Sequence, residues 1–198
     1  MHLKEEGSTE ELKDECVPAP LAKRMVAFGM DAVLIFILIQ LVALIIPKLY
    51  DDHSKREFNQ LVHQVSLLGS DERTDSTKMA TFIEESKLSA ETYEMLITML
   101  FAACALPVLY FFAGETFFKG QTLGKATFGL RTTLLDGFEN APPIKIFLRS
   151  ILKGFATITL LTPFLLPGLL NFFFCFFNRR RRCVHDILSG TITVQPKT

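Results

Sequence analysis

The sequence predicts an all-α membrane protein with two full transmembrane helices and a small β pairing on the cytoplasmic side. Two apolar stretches, about residues 25–46 and 94–113, are each long enough to cross a hydrocarbon layer of roughly 30 Å as a helix. Hydrophobic residues make up 49% of the 198 residues, so the 21% that are charged must be segregated along the chain. Residues 95–198 hold 11 basic and 4 acidic residues, a balance typical of cytoplasmic flanks.

The first 20 residues are acidic and end in Val17-Pro18-Ala19-Pro20, a composition that predicts a flexible tail. The first span follows and should end at Pro47, whose ring breaks the hydrogen-bond ladder of the preceding turn. The N-terminus lacks the basic start and the small-residue cleavage site of a secretory signal peptide. We therefore expect the first span to stay in the mature protein.

Asp31 lies inside the first span, where a carboxylate costs about 2.5 to 3.5 kcal/mol on insertion scales. A functional interpretation is that Asp31 binds a cation or relays a proton. A structural interpretation is a buried ion pair that fixes the register of the helix. The candidate partners are Arg24, Arg149, Lys153 and His185, and the sequence does not choose among them.

Residues 48–93 form an external insert between the two spans. Ser54 and Glu57 have the spacing of a capping box, and an amphipathic helix with one apolar face should follow them. Ser89 is placed to cap the second span.

The loop after the second span contains Gly120-Gln-Thr-Leu-Gly-Lys125, which invites comparison with a phosphate-binding loop. Only three residues separate its glycines, and Ala126 stands where a Ser or Thr is needed, so we predict no nucleotide binding. Residues 129–136 are β-prone and close with an Asp-Gly turn signal, and Thr191–Val194 has similar character. We predict that these two segments pair.

Residues 143–155 predict an amphipathic helix that lies in the membrane interface. Its basic stripe, Lys145, Arg149 and Lys153, has a spacing of four residues, and we expect it to face anionic lipid headgroups.

Residues 154–177 are apolar but are interrupted by Pro163 and by Pro167-Gly168. Crossing twice as continuous helix takes about 40 residues, so either a hydrophobic hairpin or a single third span fits this segment. Basic residues on both flanks, including the run Arg179–Arg182, favour a hairpin that pivots at Pro163–Gly168 and is followed by a cytoplasmic end, 178–198.

The four cysteines show no CxxC spacing, so we predict neither a disulfide framework nor a zinc or other metal site. The sequence shows no nucleophile paired with a base and no cluster of metal ligands. We therefore expect no enzymatic activity, no cofactor and no nucleic-acid partner.

Several motifs taken together resemble the RDD family. They are Arg24 with Asp31, Gly120 to Lys125 leading to Gly129-Leu-Arg131, Asp136-Gly137, Arg182-Cys-Val-His185-Asp186 and Gly190-Thr191. The family is named for an arginine and two aspartates, which correspond here to Arg24, Asp31 and Asp186. The resemblance covers roughly residues 20–195, and it implies transport of an unidentified ligand, including cation or proton exchange.

Two classes of function follow. The first is a carrier or channel for a cation or protons. Its candidate ion or proton groups are Asp31, Arg24, Asp186 and His185, with supporting basic groups Arg149, Lys153 and Lys125. Three membrane elements are too few to enclose a pathway, so such a protein must form a homo-oligomer or work with another membrane protein.

The second class is a non-transporting adaptor or scaffold subunit that recruits proteins or lipids through the basic helix and the insert. For either class we expect a multi-pass protein of the bacterial inner membrane with both termini in the cytoplasm.

Overall fold

A computed structural model describes residues 16–70, 88–135, 140–162, 165–177 and 181–196. In chain order the elements are β1 Cys16–Pro18, α1 Leu21–Ile45, α2 Asp52–Ser70, α3 Ala90–Phe117, α4 Leu123–Thr127, β2 Arg131–Leu134, α5 Pro143–Leu161, α6 Leu165–Phe177, α7 Val184–Leu188 and β3 Thr191–Pro196. The chain divides into two compact units, residues 1–38 with 104–198, and residues 39–103.

Within the part of the chain that the structure describes, two helical segments are long and apolar enough to cross a membrane. The most apolar 18-residue stretch of Leu21–Leu49, which is α1 with a 3-10 turn at Pro47, has a mean hydropathy of 2.6, and that of Ala90–Phe117 has 2.2. Only 17% of the most apolar stretch of each is buried, so both present apolar side chains outward, as lipid-facing helices do. The predicted fold class, an all-α membrane protein, is confirmed. The second span continues to Phe117 rather than ending at residue 113, which places Glu115 inside it.

The helix predicted over residues 143–155 continues without a break to Leu161 as α5. The axes of α5 and α6 are bent by 119° relative to each other, as in a broken span or a re-entrant hairpin. Pro167 and Gly168, predicted as part of the pivot, lie instead inside α6. Pro167 fits there because the first turn of a helix leaves its backbone N–H groups unpaired in any case. Pro163 lies outside the described residues.

The sheet has the strand order β1-β3-β2, with both pairs antiparallel. The predicted pairing of residues 129–136 with Thr191–Val194 is confirmed, since Arg131 lies opposite Val194 and Leu134 opposite Thr191. Strand β1 was not predicted. It adds to the other edge of β3, so the tail expected over residues 1–20 is ordered at its end, while residues 1–15 and Asp136-Gly137 lie outside the described residues.

In the unit of residues 39–103, the predicted capping box of α2 is wrong. Asp51 caps the helix, because its carboxylate accepts hydrogen bonds from the backbone N–H groups of Ser54, at 2.9 Å, and His53, at 3.3 Å. Glu57 is thereby left to accept from the Thr92 hydroxyl at 2.6 Å and from Ser89 N and Oγ at 3.0 and 2.8 Å. These hydrogen bonds, led by Thr92, lower the pKa of Glu57 to about 2. Ser89 accepts from Thr92 N at 3.3 Å, as predicted for a cap of α3.

Cys175 and Cys183 form a disulfide between α6 and the residue before α7, with their Cα atoms 4.6 Å apart. The prediction that the chain holds no disulfide is therefore wrong. The two cysteines are 8 positions apart in the sequence, and cysteine spacing alone does not reveal that they lie close enough to bond. Cys104 is free and exposed.

Candidate functional site

Seven charged side chains gather inside the unit formed by residues 1–38 and 104–198. Each of these side chains is at most 9% exposed. We name this set the buried charge cluster: Arg24 and Asp31 of α1, Glu115 of α3, Lys125 of α4, Arg149 and Lys153 of α5, and Asp186 of α7. It contains four bases and three carboxylates, drawn from five helices that are far apart in sequence.

Asp31 is held mainly by neutral donors. Its carboxylate accepts hydrogen bonds from the Tyr110 hydroxyl at 2.7 Å, the Thr122 hydroxyl at 2.6 Å and the backbone N–H of Gly124 at 2.9 Å. Among the described residues, Lys153 alone brings a basic group within 4 Å of it, with 3.9 Å between Nζ and Oδ2. Of the four partners considered from the sequence, Lys153 therefore lies nearest to the Asp31 carboxylate, but beyond hydrogen-bond distance.

The glycine motif at the start of α4 allows the backbone there to lie directly against the first span. A Cβ atom at Gly124 would lie 2.0 Å from the carbonyl oxygen of Ala27 and 2.9 Å from Asp31 Oδ1, so no other residue fits. Thr122 also caps α4, accepting from the Lys125 N–H at 3.4 Å. The motif that failed as a nucleotide loop thus recognises a carboxylate of its own chain.

Glu115 is the acid that sequence reasoning missed. Its carboxylate lies 2.5 Å from Lys125 Nζ, 2.9 Å from Arg149 Nε and 3.8 Å from Lys153 Nζ. The signal was present, since Glu115 stands two residues beyond the predicted end of an apolar span. A longer estimate of that span would have made it a second intramembrane acid beside Asp31.

Asp186 joins the two arginines of the buried charge cluster. One of its oxygens accepts from Arg24 and the other from Arg149, while the Cys183 N–H donates to it at 3.1 Å and so caps α7. Burial by itself raises the pKa of Asp186, but Arg149 and Arg24 hold that pKa well below its usual range. Arg24, one of the four partners that the sequence left open for Asp31, therefore pairs with Asp186 instead.

Arg149 contacts polar groups on three different elements. Besides its ion pairs with Glu115 and Asp186, it donates hydrogen bonds to the hydroxyls of Thr191 at 2.9 Å and Thr193 at 3.3 Å. One side chain on α5 thus ties together the second span, the short helix α7 and strand β3. A planar guanidinium with five donors suits such a junction better than an ammonium does.

The sequence that builds this geometry also matches a known protein family. The family model of the RDD family matches residues 18–190. The chain belongs to the RDD family. No curated protein and no solved structure matches it. In this RDD chain the arginine and the second aspartate that correspond to the family name, Arg24 and Asp186, are in direct contact.

The prediction that the basic stripe of α5 faces lipid headgroups is wrong for Arg149 and Lys153. Arg149 and Lys153 are 1% and 3% exposed, whereas the apolar Ile144 and Phe155 of the same helix are 73% and 59% exposed. The acids Asp31, Glu115 and Asp186 attract the basic stripe inward, and the apolar face is left outside. Only Lys145 is exposed, and for it contact with headgroups stays a prediction.

His185 is fixed as a neutral hydrogen-bonded group. Its backbone N–H and its ring Nδ1 both lie within bonding distance of Asn171 Oδ1, at 3.2 and 2.9 Å, and an amide oxygen only accepts, so Nδ1 carries a proton. Burial, reinforced by Arg149, Lys153 and Arg24, holds the pKa of His185 well below its usual value. His185 therefore fits a structural corner better than a protonatable gate.

The two lysines of the buried charge cluster have different surroundings. Lys125 Nζ lies 2.5 Å from both Glu115 Oε1 and the Thr132 hydroxyl, and burial lowers its pKa to about 7 although Glu115 opposes that shift. Lys153 Nζ lies 3.8 Å from the centre of the Phe111 ring and 5.8 Å from that of Phe28. It borders a cavity of about 30 Å³, whose lining also includes the polar residues Arg24, Asp31, Lys125, Arg149, His185 and Thr193.

Cys183, His185 and Asp186 place one potential metal-binding atom each within 4.8 Å of one another. The residues do not fit a metal ion in this arrangement. The sulfur of Cys183 is bonded to Cys175, and both oxygens of Asp186 accept from arginines. A divalent ion there would also face the positive charges of Arg24 and Arg149.

Proposed function

We propose that this RDD chain moves protons, alone or in exchange for a monovalent cation, across a membrane, with the buried charge cluster as the site. The observation that carries the proposal is the balance of charge. Four bases face three carboxylates in a region with little access to water. An unbalanced charge in such a place is costly, and the loss of one proton removes it.

Lys125 is the group that we assign to release that proton. Its pKa, lowered by burial to about 7, lies near neutrality, where small changes in pH alter its charge. Once Lys125 is neutral, the remaining three bases balance the three carboxylates. A monovalent cation can approach Glu115 only in that state, which links cation entry to proton release.

This assignment shifts the titrating role away from Asp31. Three neutral donors hold that carboxylate, which suits a fixed anchor between the first span and the loop before α4. Asp31 then stabilises the site, and Lys125 carries the proton.

Proton flux into liposomes tests the proposal. The purified protein is reconstituted with a pH-sensitive dye inside, a pH gradient is imposed, and the potential is clamped with potassium and valinomycin. We expect flux above that of protein-free vesicles, lost in Lys125→Met and kept in Lys145→Met, which removes an exposed lysine instead. Absence of flux in the unmodified protein, with or without a sodium gradient, would overturn the proposal.

The adaptor remains the alternative, but it has lost one of its two supports. Arg149 and Lys153 are buried and therefore unavailable for recruiting lipids or proteins. A stoichiometric protein partner recovered together with an absence of flux would favour this alternative.

We further propose an oligomer or a membrane partner, and the bacterial plasma membrane with both termini in the cytoplasm. The support is the small number of candidate spans, two or three, and the excess of basic residues after the second span. Labelling of Thr198→Cys in intact cells, with Cys16 and Cys104 replaced by serine, should require permeabilisation. Mass measurement in detergent tests the oligomer.

A further inference from the structure

The cavity beside the buried charge cluster has an electrostatic character that proton transport does not explain. Among the described residues, its lining includes the four bases Arg24, Lys125, Arg149 and Lys153 but only one acidic residue, Asp31. Glu115 and Asp186 are not part of that lining. The space itself is therefore more positive than the cluster as a whole.

Lys153 is the base with the weakest partners. Its ammonium lies 3.8 Å from Glu115 Oε1 and 3.9 Å from Asp31 Oδ2, both beyond hydrogen-bond distance. Those oxygens already accept hydrogen bonds from Lys125 and Thr122. The Phe111 ring under the ammonium offers a weak cation–π contact, so this nearly buried charge faces the cavity without a hydrogen-bond acceptor among the residues that the structure describes.

We propose that this cavity binds one small monovalent anion, chloride or a carboxylate of the size of formate, against the ammonium of Lys153. A cation in the same place would face four like charges at short range. The volume of about 30 Å³ exceeds the 10–15 Å³ or so that one water needs, and it is too small for a phosphate ester or a sugar acid. The anion would balance the fourth base when all four are protonated.

Chloride binding is measured on the purified protein in detergent at pH 6, from the excess line width of the ³⁵Cl NMR signal. We expect excess broadening that formate displaces and gluconate, which is too large for the cavity, does not. Absence of excess broadening in the unmodified protein, or equal displacement by gluconate, would overturn the inference without any variant.

The matched variants are Lys153→Met and Lys145→Met, which lie on the same helix and differ in burial. We expect the excess broadening to fall at least about tenfold in Lys153→Met, because a charge next to the anion is lost, and to persist in Lys145→Met. Equal broadening in both variants would contradict the assignment to Lys153.

An anionic lipid headgroup is the other source of negative charge. Loss of the chloride signal on adding phosphatidylglycerol, but not phosphatidylcholine, would reassign the site to lipid and overturn the inference. Anion binding at Lys153 requires no transport. Proton flux without chloride binding would overturn this inference alone, and chloride binding without proton flux would overturn only the proposed function.

Discussion

Arg24 and Asp186, 162 residues apart in sequence, form an ion pair in which the guanidinium is 9% exposed and the carboxylate is fully buried. The pair joins the cytoplasmic end predicted for the first span to the short helix before the last strand. Asp186 is shared with Arg149, so its loss leaves two guanidinium groups without their main acceptor.

Asp186→Asn should destabilise the protein by about 3–5 kcal/mol, the usual cost of leaving a buried charge unpaired. In the double variant Asp186→Asn with Arg24→Met, the loss in the free energy of unfolding should be smaller than the sum of the losses in the two single variants, by about 0.5–3 kcal/mol. Denaturant unfolding in detergent measures this. The control is Lys23→Met, at the neighbouring exposed residue, whose effect on the free energy of unfolding should simply add to that of Asp186→Asn. If the effects of Arg24→Met and Asp186→Asn also added, the ion pair would be contradicted.

Gly124→Ala should prevent the first turn of α4 from docking on the first span, because the added Cβ would overlap the Ala27 carbonyl. The expected result is loss of monodisperse protein on gel filtration. Gly29→Ala is the control, since a Cβ at Gly29 meets nothing within 4 Å and alanine favours the helix by up to about 1 kcal/mol. A well-behaved Gly124→Ala protein would show that the close approach is not needed.

Asp31→Asn should lower the melting temperature, because an amide nitrogen replaces one of two oxygens that both accept hydrogen bonds. A charge-assisted hydrogen bond contributes about 1.5–3 kcal/mol, so a loss of roughly 2 kcal/mol is expected. The conservative change Met30→Leu on the exposed side of α1 should have little effect. If proton flux per folded molecule vanished in Asp31→Asn, Asp31 would be more than an anchor.

Glu57 should make the contact between α2 and the start of α3 dependent on pH. Because its pKa falls from the ordinary 4.5 to about 2 on folding, its stabilising effect is fully present above pH 4.5 and is lost as the pH falls towards 2. The protection factors of the amides around Ser89, which correct for the slower intrinsic exchange in acid, should therefore fall over that pH range. Glu57→Gln should show fast exchange already at pH 6, and unchanged protection would refute this role.

Cys175 and Cys183 should resist thiol reagents until a reductant is added. In a chain with Cys16→Ser and Cys104→Ser, a maleimide should add nothing to the denatured protein without reductant and two groups after reduction, counted by mass spectrometry. Reduction should also cost about 2 kcal/mol of stability through the freed chain entropy. Two labels without reductant would mean that the thiols are free.

The sequence was sufficient for the elements whose signals are local. Length and hydropathy predicted the two spans, and β propensity predicted that residues 129–136 pair with Thr191–Val194, of which Arg131–Leu134 form the observed strand. These predictions depend on neighbouring residues only. Strand β1 was missed because three residues ending in proline carry little signal, and it forms because β3 offers a free edge.

The candidate site was predicted in its members but not in its connections. Six of the seven residues of the buried charge cluster were named. Arg24, however, was considered as a partner of Asp31, and Arg149 and Lys153 were expected to face lipid headgroups. Amphipathic periodicity shows that a helix has two faces and is silent on which one is turned inward. Acids on other elements decided that question, and one of them, Glu115, had been placed outside the span.

The contacts of Arg149 also limit the order in which the protein can assemble during its synthesis. Its partners come from α3, made earlier, and from Asp186, Thr191 and Thr193, which are made last. As a chain grows from its N-terminus, Asp31 and Glu115 enter the bilayer before the ribosome has supplied the residues that complete their surroundings. In the newly inserted spans these two acids must therefore stay neutral or hydrated until Lys153, which lies near both of them, has been translated.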